Sequence, residues 1–276
     1  MSKALHILNG DSTFEVISKS SIHGDIMVWR EMLCEGSIKD EIGSDKFWKS
    51  RYTFFEKEFG VQKLEYFDKT IKEIIKLDDL SNYNEVVLWF EYDLFCQINL
   101  IATCTYLLNS FRKDINYFLI CTGKEKGKEK LQTLSDYNSK DYTFLFENKL
   151  KLTKHNLLFA EICWNLYLEN DLEKLKSFDF NSNSKFAYLQ LAINQHLERF
   201  PKQNGLNQIE NKILTLINSG LTDKIKIVKQ LLIWQKNETV YGFGDLQYFR
   251  LLKNLKKYYT NKNDVILLNN KGKSLI

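Results

Sequence analysis

Proline is almost absent from this chain, one in 276 residues, and glycine is sparse at twelve. Collagen-like repeats, linker-rich chains and many-turned all-β folds need far more of both, so the composition favours long helices. Long apolar runs are missing as well: no window of about 18 uncharged apolar residues occurs, which argues against a membrane span. The N-terminal stretch MSKALHILNGD carries one lysine and a short apolar segment broken by His6. That is a poor secretory signal. The five cysteines (Cys34, Cys96, Cys104, Cys121, Cys163) are scattered and include no C-x-x-C pair. They read as reduced thiols of a cytoplasmic protein rather than a disulfide frame or a zinc ribbon. No serine sits in a G-x-S-x-G elbow, so a hydrolase triad has no support.

What is present is globular: 44% hydrophobic, 14% aromatic and 27% charged residues. The length suits one large domain or two ordinary ones. The net charge of +4 conceals an asymmetry, for residues 1–120 hold 14 Lys and Arg against 19 Asp and Glu. Residues 205–276 hold 12 against 5. An acidic front and a basic back suggest two modules with different partners.

Four short apolar runs, 4–9, 25–29, 85–90 and 115–121, alternate with helical patterns over 45–60, 63–77 and 94–108. In the second of these helices Leu64, Phe67, Ile71, Ile74 and Ile75 fall on one stripe. Continuous apolar strands separated by helices imply a parallel sheet covered on both faces. Residues 1–121 therefore read as an α/β domain, Rossmann-like in its parallel sheet. The lysine- and glutamate-rich stretch within 122–140 reads as a charged surface loop or linker, since it does not meet the phosphate-loop pattern. Residues 141–204 read as all-helical.

The last segment, 205–276, reads as a winged-helix-like basic unit. Asn207 and Glu210 form a capping box opening a helix over 209–217. Thr222 is expected to cap a second helix reaching Trp234, and Asp245 a third, with Leu246, Phe249, Leu252 and Leu255 as its buried stripe. Val265 to Leu268, a turn at Asn269-Asn270, and Leu275-Ile276 read as a terminal hairpin, the wing. Arg250, Lys253, Lys256, Lys257, Lys262, Lys271 and Lys273 are opposed within 250–276 by Asp264 alone. Such a surface suits phosphate neutralisation on nucleic acid, although lysines dominate where base readout would favour Arg, Asn or Gln. Winged helices also dock proteins.

Ligands of open parallel sheets bind outside the carboxyl ends of the strands. Three polar clusters fall there: Asn9-Gly10-Asp11, Arg30-Glu31 and Glu91-Tyr92-Asp93. Asp11 and Asp93 are the candidate catalytic carboxylates, and Asp11, Glu31 and Asp93 the candidate ligands of Mg²⁺ or Mn²⁺, ions that prefer oxygen donors. The competing reading is that each carboxylate caps the helix after its strand. His6, Asn9, Gly10, Arg30, Glu31, Arg51 and Gln97 complete the ligand-binding set. Arg30 and Arg51 offer forked donors to a phosphate or carboxylate, or pair with Glu31 or Glu35. His6 is either a hydrogen-bonded core histidine or a base.

These segments resemble a bacterial family of unknown function whose members open with L-H-I-x-N-G-D, here Leu5, His6, Ile7, Leu8, Asn9, Gly10 and Asp11. Further matches are the VWREMLCEG segment at 28–36, where the family usually has Asp in place of Glu31 and a Pro soon after the glycine, then Arg51 and the LWFEYDLFCQINL segment at 88–100. In the back half, HLERFP at 196–201, Asn204, Gly205, Leu206, Asn207 with Glu210, and Gly242, Phe243, Gly244 and Asp245 also match. The family often carries His at Tyr92 and sometimes Gly at Glu91, which favours Asp93 and Gln97 as site residues. The resemblance spans nearly the whole chain. It implies an α/β domain followed by a helical region and supplies no activity.

The expected function is therefore the binding of a nucleotide or other phosphorylated small ligand at the sheet's carboxyl edge, with metal-assisted hydrolysis or phosphoryl transfer as the chemistry such a site would support. The alternative is a non-enzymatic regulator or adaptor whose basic C-terminal unit contacts nucleic acid. A docking module with neither activity is a third reading. No membrane partner is expected.

Overall fold

The computed structural model describes residues 3–276, so the first two residues of the stretch weighed as a secretory signal lie outside it. The chain folds as two compact units, the first ending at Gln190 and the second running Leu191–Ile276. No helix among the described residues is long and apolar enough to cross a membrane.

The first unit is α/β. Its sheet holds β1 (Ala4–Leu8), β2 (Asp25–Val28), β3 (Glu85–Glu91), β4 (Asn116–Thr122) and β5 (Leu150–Leu152), in the order β2-β1-β3-β4-β5. The first four are mutually parallel, with Leu8 level with Val28 on one side and Trp89 on the other. All five residues of β1 are buried, as a strand covered on both faces requires. β5 runs antiparallel along the outer edge of β4. It corrects the all-helical reading of 141–204: three residues with two exposed carry no legible strand period.

Helices cover the two faces. α1 (Asp11–Ile17) follows β1, and α2 (Asp45–Phe59) opens on Ser44, whose hydroxyl accepts the Phe47 N–H. Residues 63–78 are helical but uneven: α3 (Lys63–Tyr66), a wide π turn over Phe67–Ile71, α4 (Lys72–Ile74) and a tight turn over Ile75–Asp78. The buried face here is Tyr66, Thr70, Ile74 and Leu77, while Leu64, Phe67 and Ile75 are exposed. The expected apolar stripe is thus displaced, because the Tyr66 hydroxyl is drawn inward by Glu31. α5 (Leu94–Asn109) is buried on most faces, as its composition suggested, and packs on β3 and on α7 (Lys154–Glu169). Thr153 caps α7 through a reciprocal box with Asn156. A short α8 (Leu172–Ser177) follows.

On the opposite face, Leu8, Ile17, Val87, Trp89 and Ile120 form one cluster with Leu134 and Tyr142. Tyr142 belongs to α6 (Ser139–Glu147) and stacks on Trp89 at 5.6 Å between ring centroids. Leu134, with the partly buried Tyr137 beside it, corrects the reading of 122–140 as surface throughout, since these side chains pack the loop against the core.

α9 (Leu189–Leu197) spans the boundary between the units. The second unit contains α10 (Gln208–Asn218), α11 (Lys224–Glu238), α12 (Asp245–Asn254), the hairpin β6 (Tyr259–Lys262) and β7 (Val265–Leu268), and α13 (Asn270–Lys273). The Asn207–Glu210 capping box is present. Asp223, not Thr222, caps α11 by accepting the Lys226 N–H. Gly244, not Asp245, precedes α12, and the Gln247 side chain accepts its N–H. Tyr248 donates its hydroxyl to Gln235, so Gln247, Tyr248, Leu252 and Leu255 face inward and Leu246 is exposed. The hairpin turns at Asn263 and Asp264, both at positive φ (49° and 61°), and β7 pairs with β6 rather than with Leu275-Ile276. Asn and Asp tolerate that left-handed conformation. Asn269 accepts the Gly272 N–H and opens α13 instead of making a turn between strands.

Candidate functional site

In the order β2-β1-β3-β4, chain connections leave β1 toward one edge and β3 toward the other, so the strand order reverses between β1 and β3. This is where doubly wound sheets open a crevice at their carboxyl ends. Asn9-Gly10-Asp11 leaves β1 on one side of that point, and Glu91-Tyr92-Asp93 leaves β3 on the other. The Asn9 N–H still reaches the Trp89 carbonyl, at 3.3 Å. Gly10 then turns at φ 105° with open space where a Cβ would sit. Asn9 Oδ1 accepts from Asn99 Nδ2 (2.8 Å), which also donates to the Glu31 carbonyl (2.6 Å). The chains leaving β1 and β2 are thereby tied to α5.

The chemistry gathers on the β3 side. Asp93 caps α5, its Oδ1 accepting the Cys96 N–H at 2.8 Å, so the capping role foreseen for a strand-end carboxylate is real here. Glu91 Oε1 accepts the Leu134 N–H at 2.7 Å, and Glu91 Oε2 lies 4.0 Å from Cys96 Sγ. Glu91, Asp93 and Cys96 each present a ligand atom, all within 4.8 Å of one another, and among the described residues they are the one such group of three. Among the described residues, no lysine or arginine forms an ion pair with either carboxylate. Burial, then the charge of Asp93, pushes the Glu91 carboxyl up to about 7. Burial pushes Asp93 up to about 6 against the pull of the α5 N–H groups. The Cys96 thiol is raised by burial and by both neighbouring charges.

Gln97, fully buried, donates Nε2 to the Glu91 carbonyl (2.7 Å) and to Cys121 Sγ (3.3 Å). Its Oε1, and Thr122 Oγ1 at the end of β4, are buried with no hydrogen-bond partner among the described residues. Two uncompensated carboxylates beside two unused oxygen acceptors suit a cation or a donor-rich ligand.

Several residues singled out from the sequence lie elsewhere in the network. Arg51 is fully buried: Nε and Nη2 hold Glu31 Oε2 at 2.9 and 2.8 Å, and its other N–H groups reach the carbonyls of Glu35 (2.5 Å), Met32 (3.1 Å) and Ser37 (3.4 Å). The Tyr66 hydroxyl donates to the other Glu31 oxygen. Arg51 thus has no donor left for a phosphate and Glu31 none of its oxygens for a metal. Asp11 does not cap α1; it takes a bidentate pair from Arg30 Nε and Nη2 at the surface, with Nη1 on the Lys69 carbonyl (2.9 Å). The expected triad Asp11, Glu31 and Asp93 therefore does not form, and Glu91 and Cys96 take the two vacated places beside Asp93. His6 accepts the Trp89 indole N–H on Nδ1 (3.2 Å) and donates Nε2 to the His23 carbonyl (3.3 Å). Burial lowers its pKa, so it is a neutral core histidine and leaves the ligand set.

Sequence reasoning placed Glu91 in a strand-end cluster and then set it aside, and it missed Cys96, Asn99 and Thr122. The available signal was local: Glu91 and Asp93 two apart at a strand end, with Cys96 in the first turn of the helix behind them. In the second unit, Lys253, Lys256, Lys257, Lys262, Lys271 and Lys273 are exposed, and Arg250 is half-buried.

No protein-family model matches the chain, and no curated protein matches it.

Proposed function

We propose that the carboxyl edge of the first unit's sheet binds a phosphorylated small molecule of the nucleotide class together with a divalent cation, in a Rossmann-like manner. The observation that carries this reading is the pair of uncompensated carboxylates, Glu91 and Asp93, beside the unused Gln97 Oε1 at the point where strand order reverses. Glu91 and Asp93 hold the cation, Mg²⁺ or Mn²⁺ in the simplest case, and phosphate oxygens complete its shell. Gly10 admits close approach of the ligand to the backbone. Arg30, its side chain 28% exposed and oriented by Asp11, faces phosphate oxygens at the rim. If turnover follows, the cation polarises the phosphoryl group for hydrolysis or transfer. The family resemblance belongs to the same proposal, since its segments 5–11, 28–36 and 88–100 are the ones that leave the strands at this edge.

A thermal-shift panel of nucleotides and phosphosugars, with and without Mg²⁺ or Mn²⁺, tests it. A ligand at about 100 times its Kd adds about 2.7 kcal/mol, a shift of several degrees. Glu91→Gln removes the shift. A flat panel on folded protein overturns the reading.

One observation favours a second reading for the second unit. Lys257 and Lys271 place their Nζ atoms 4.8 and 5.7 Å from the Tyr258 ring, an aromatic flanked by cations at the base of the hairpin. We infer a winged-helix-like surface that meets nucleic acid through phosphate contacts. Charge reversal of Lys256 and Lys257 in the full chain weakens binding to all duplex sequences alike and flattens its salt dependence. No affinity at low salt refutes it.

A further inference from the structure

The cation half of the reading above leaves open which ion the site prefers, and Cys96 decides it. Its sulfur lies with the two carboxylates rather than behind them, 4.0 Å from Glu91 Oε2. Mg²⁺ avoids sulfur and prefers six oxygens, whereas borderline ions accept a mixed set of thiolate and carboxylate. Burial and the two carboxylates keep the free thiol protonated, so it is a bound cation that makes it a thiolate, and two features of the fold then support charge on the sulfur. Asn9 Nδ2 donates to Cys96 Sγ at 2.8 Å, and Asn9 is itself held by Asn99, so an oriented N–H supports charge on the sulfur from the next layer out. Cys96 also lies in the first turn of the 16-residue helix α5, where the helix dipole favours an anion.

An independent observation points to a ligand. Gln97 is fully buried, its amide sits between the Glu91 carbonyl and Cys121, and its Oε1 has no partner among the described residues. We propose that Glu91, Asp93 and Cys96 bind one borderline divalent transition ion of the Zn²⁺ class per chain. Zn–S and Zn–O bonds of about 2.3 and 2.1 Å would draw ligand atoms nearer than the 4.0 Å now between Cys96 Sγ and Glu91 Oε2. Three protein ligands leave one position of a tetrahedron open, which is where the phosphorylated ligand or water would bind. Binding exchanges the thiol S–H bond for an S–metal bond and releases that proton to solvent, together with any proton still held by the raised Glu91 and Asp93 carboxyls, with no change in oxidation state. This inference rests on the cation site of the proposed function but not on its phosphorylated ligand.

The test is titration of the chelator-stripped full chain with Co²⁺ as the spectroscopic stand-in for Zn²⁺, with no nucleotide or phosphosugar present. Expected are saturation at one ion per chain, a near-ultraviolet sulfur-to-cobalt charge-transfer band, and displacement of Co²⁺ by Zn²⁺ without further proton release; loading of the metal-free protein at a pH above the titration of Glu91 and Asp93 releases about one proton per ion. Cys96→Ser abolishes the band and weakens Zn²⁺ binding at least tenfold, while Cys104→Ser, another buried thiol of α5, leaves both unchanged. Should Cys96→Ser fail to fold, the band and the proton count in the unsubstituted protein still decide. Co²⁺ binding without the band overturns the proposal, as does Mn²⁺ or Mg²⁺ binding that Cys96→Ser does not affect. In that case the phosphorylated-ligand reading stands, because its own readout is the shift on adding nucleotide. Absence of binding by every cation overturns the inference and the cation half of that reading together.

Discussion

Replacing Arg51 with methionine separates a structural arginine from a ligand-binding one. Methionine keeps much of the volume but removes the charge, leaving the Glu31 carboxylate fully buried with only the Tyr66 hydroxyl and the Met32 N–H as donors. The carbonyls of Met32, Glu35 and Ser37 lose their arginine donors at the same time. Removing one partner of a buried ion pair costs about 3–5 kcal/mol, because the other charge is left uncompensated. Orphaned carbonyls add about 1 kcal/mol each where water cannot reach them. Arg51→Met should therefore destabilise the protein by at least about 3 kcal/mol, roughly 10 °C in Tm for a unit of this size. Adding Glu31→Gln removes the buried charge and should restore part of the loss, giving a coupling of about 1–3 kcal/mol in the double-mutant cycle. Denaturant unfolding of the four proteins measures it. A loss below about 1 kcal/mol for Arg51→Met, or strict additivity with Glu31→Gln, refutes the reasoning and returns Arg51 to the candidate phosphate ligands.

Gly36→Ala should destabilise through the same cluster by about 2 kcal/mol or more, read by denaturant unfolding: φ is +76°, and an added Cβ would lie 2.6 Å from the Phe54 ring and 2.8 Å from Arg51 Nη1. Asp93→Asn and Asp93→Ala both remove the buried charge, but only Asn keeps the α5 cap, so the Ala variant should be less stable than the Asn variant by about 1 kcal/mol; both should lose cation affinity, and equal stability of the two variants would refute the capping role. In chelator, the raised Glu91 and Asp93 carboxyls hold protons that the unfolded chain has already released, so their contribution to stability is fully present below about pH 4 and is lost as pH rises through about 6 to 7. Glu91→Gln, which mimics the protonated form, should gain on the unsubstituted protein by roughly 1–3 kcal/mol between pH 5 and 8; a pH-independent difference would sink the assignment. His196, lowered to about 3 by burial, works in the opposite sense: it favours the fold above the ordinary histidine value of 6.5, and that contribution is lost as pH falls toward 3. The acid limb of stability should accordingly flatten in His196→Gln.

The alternation of short, mostly apolar runs with helical patterns was enough to determine an α/β first unit, because a strand buried on both faces leaves little room for polar alternation. Capping residues were legible where the donor and acceptor are three residues apart, as at Asn207 and Glu210. They were misplaced by one residue at Thr222, where the neighbouring Asp223 offered equivalent chemistry, and at Asp245, where Gly244 stands at the cap with no side chain and Gln247 reaches back to its N–H. The three-residue β5 left no trace, since only its pairing with β4 makes it a strand.

The site divides in the same way. Sequence alone placed polar clusters at the ends of β1, β2 and β3, because loops after buried strands must carry groups that water or ligand can satisfy. It had no means of sharing those groups out. Glu31, Arg51 and Tyr66 are 15 to 35 positions apart, and only the packing of α2 and α3 shows that they consume one another. Tertiary structure likewise decided that Glu91 and Cys96 join Asp93, with Asn9 reaching across 87 positions to the sulfur. Charge type is written locally along a chain, whereas which charges remain uncompensated depends on contacts between distant segments.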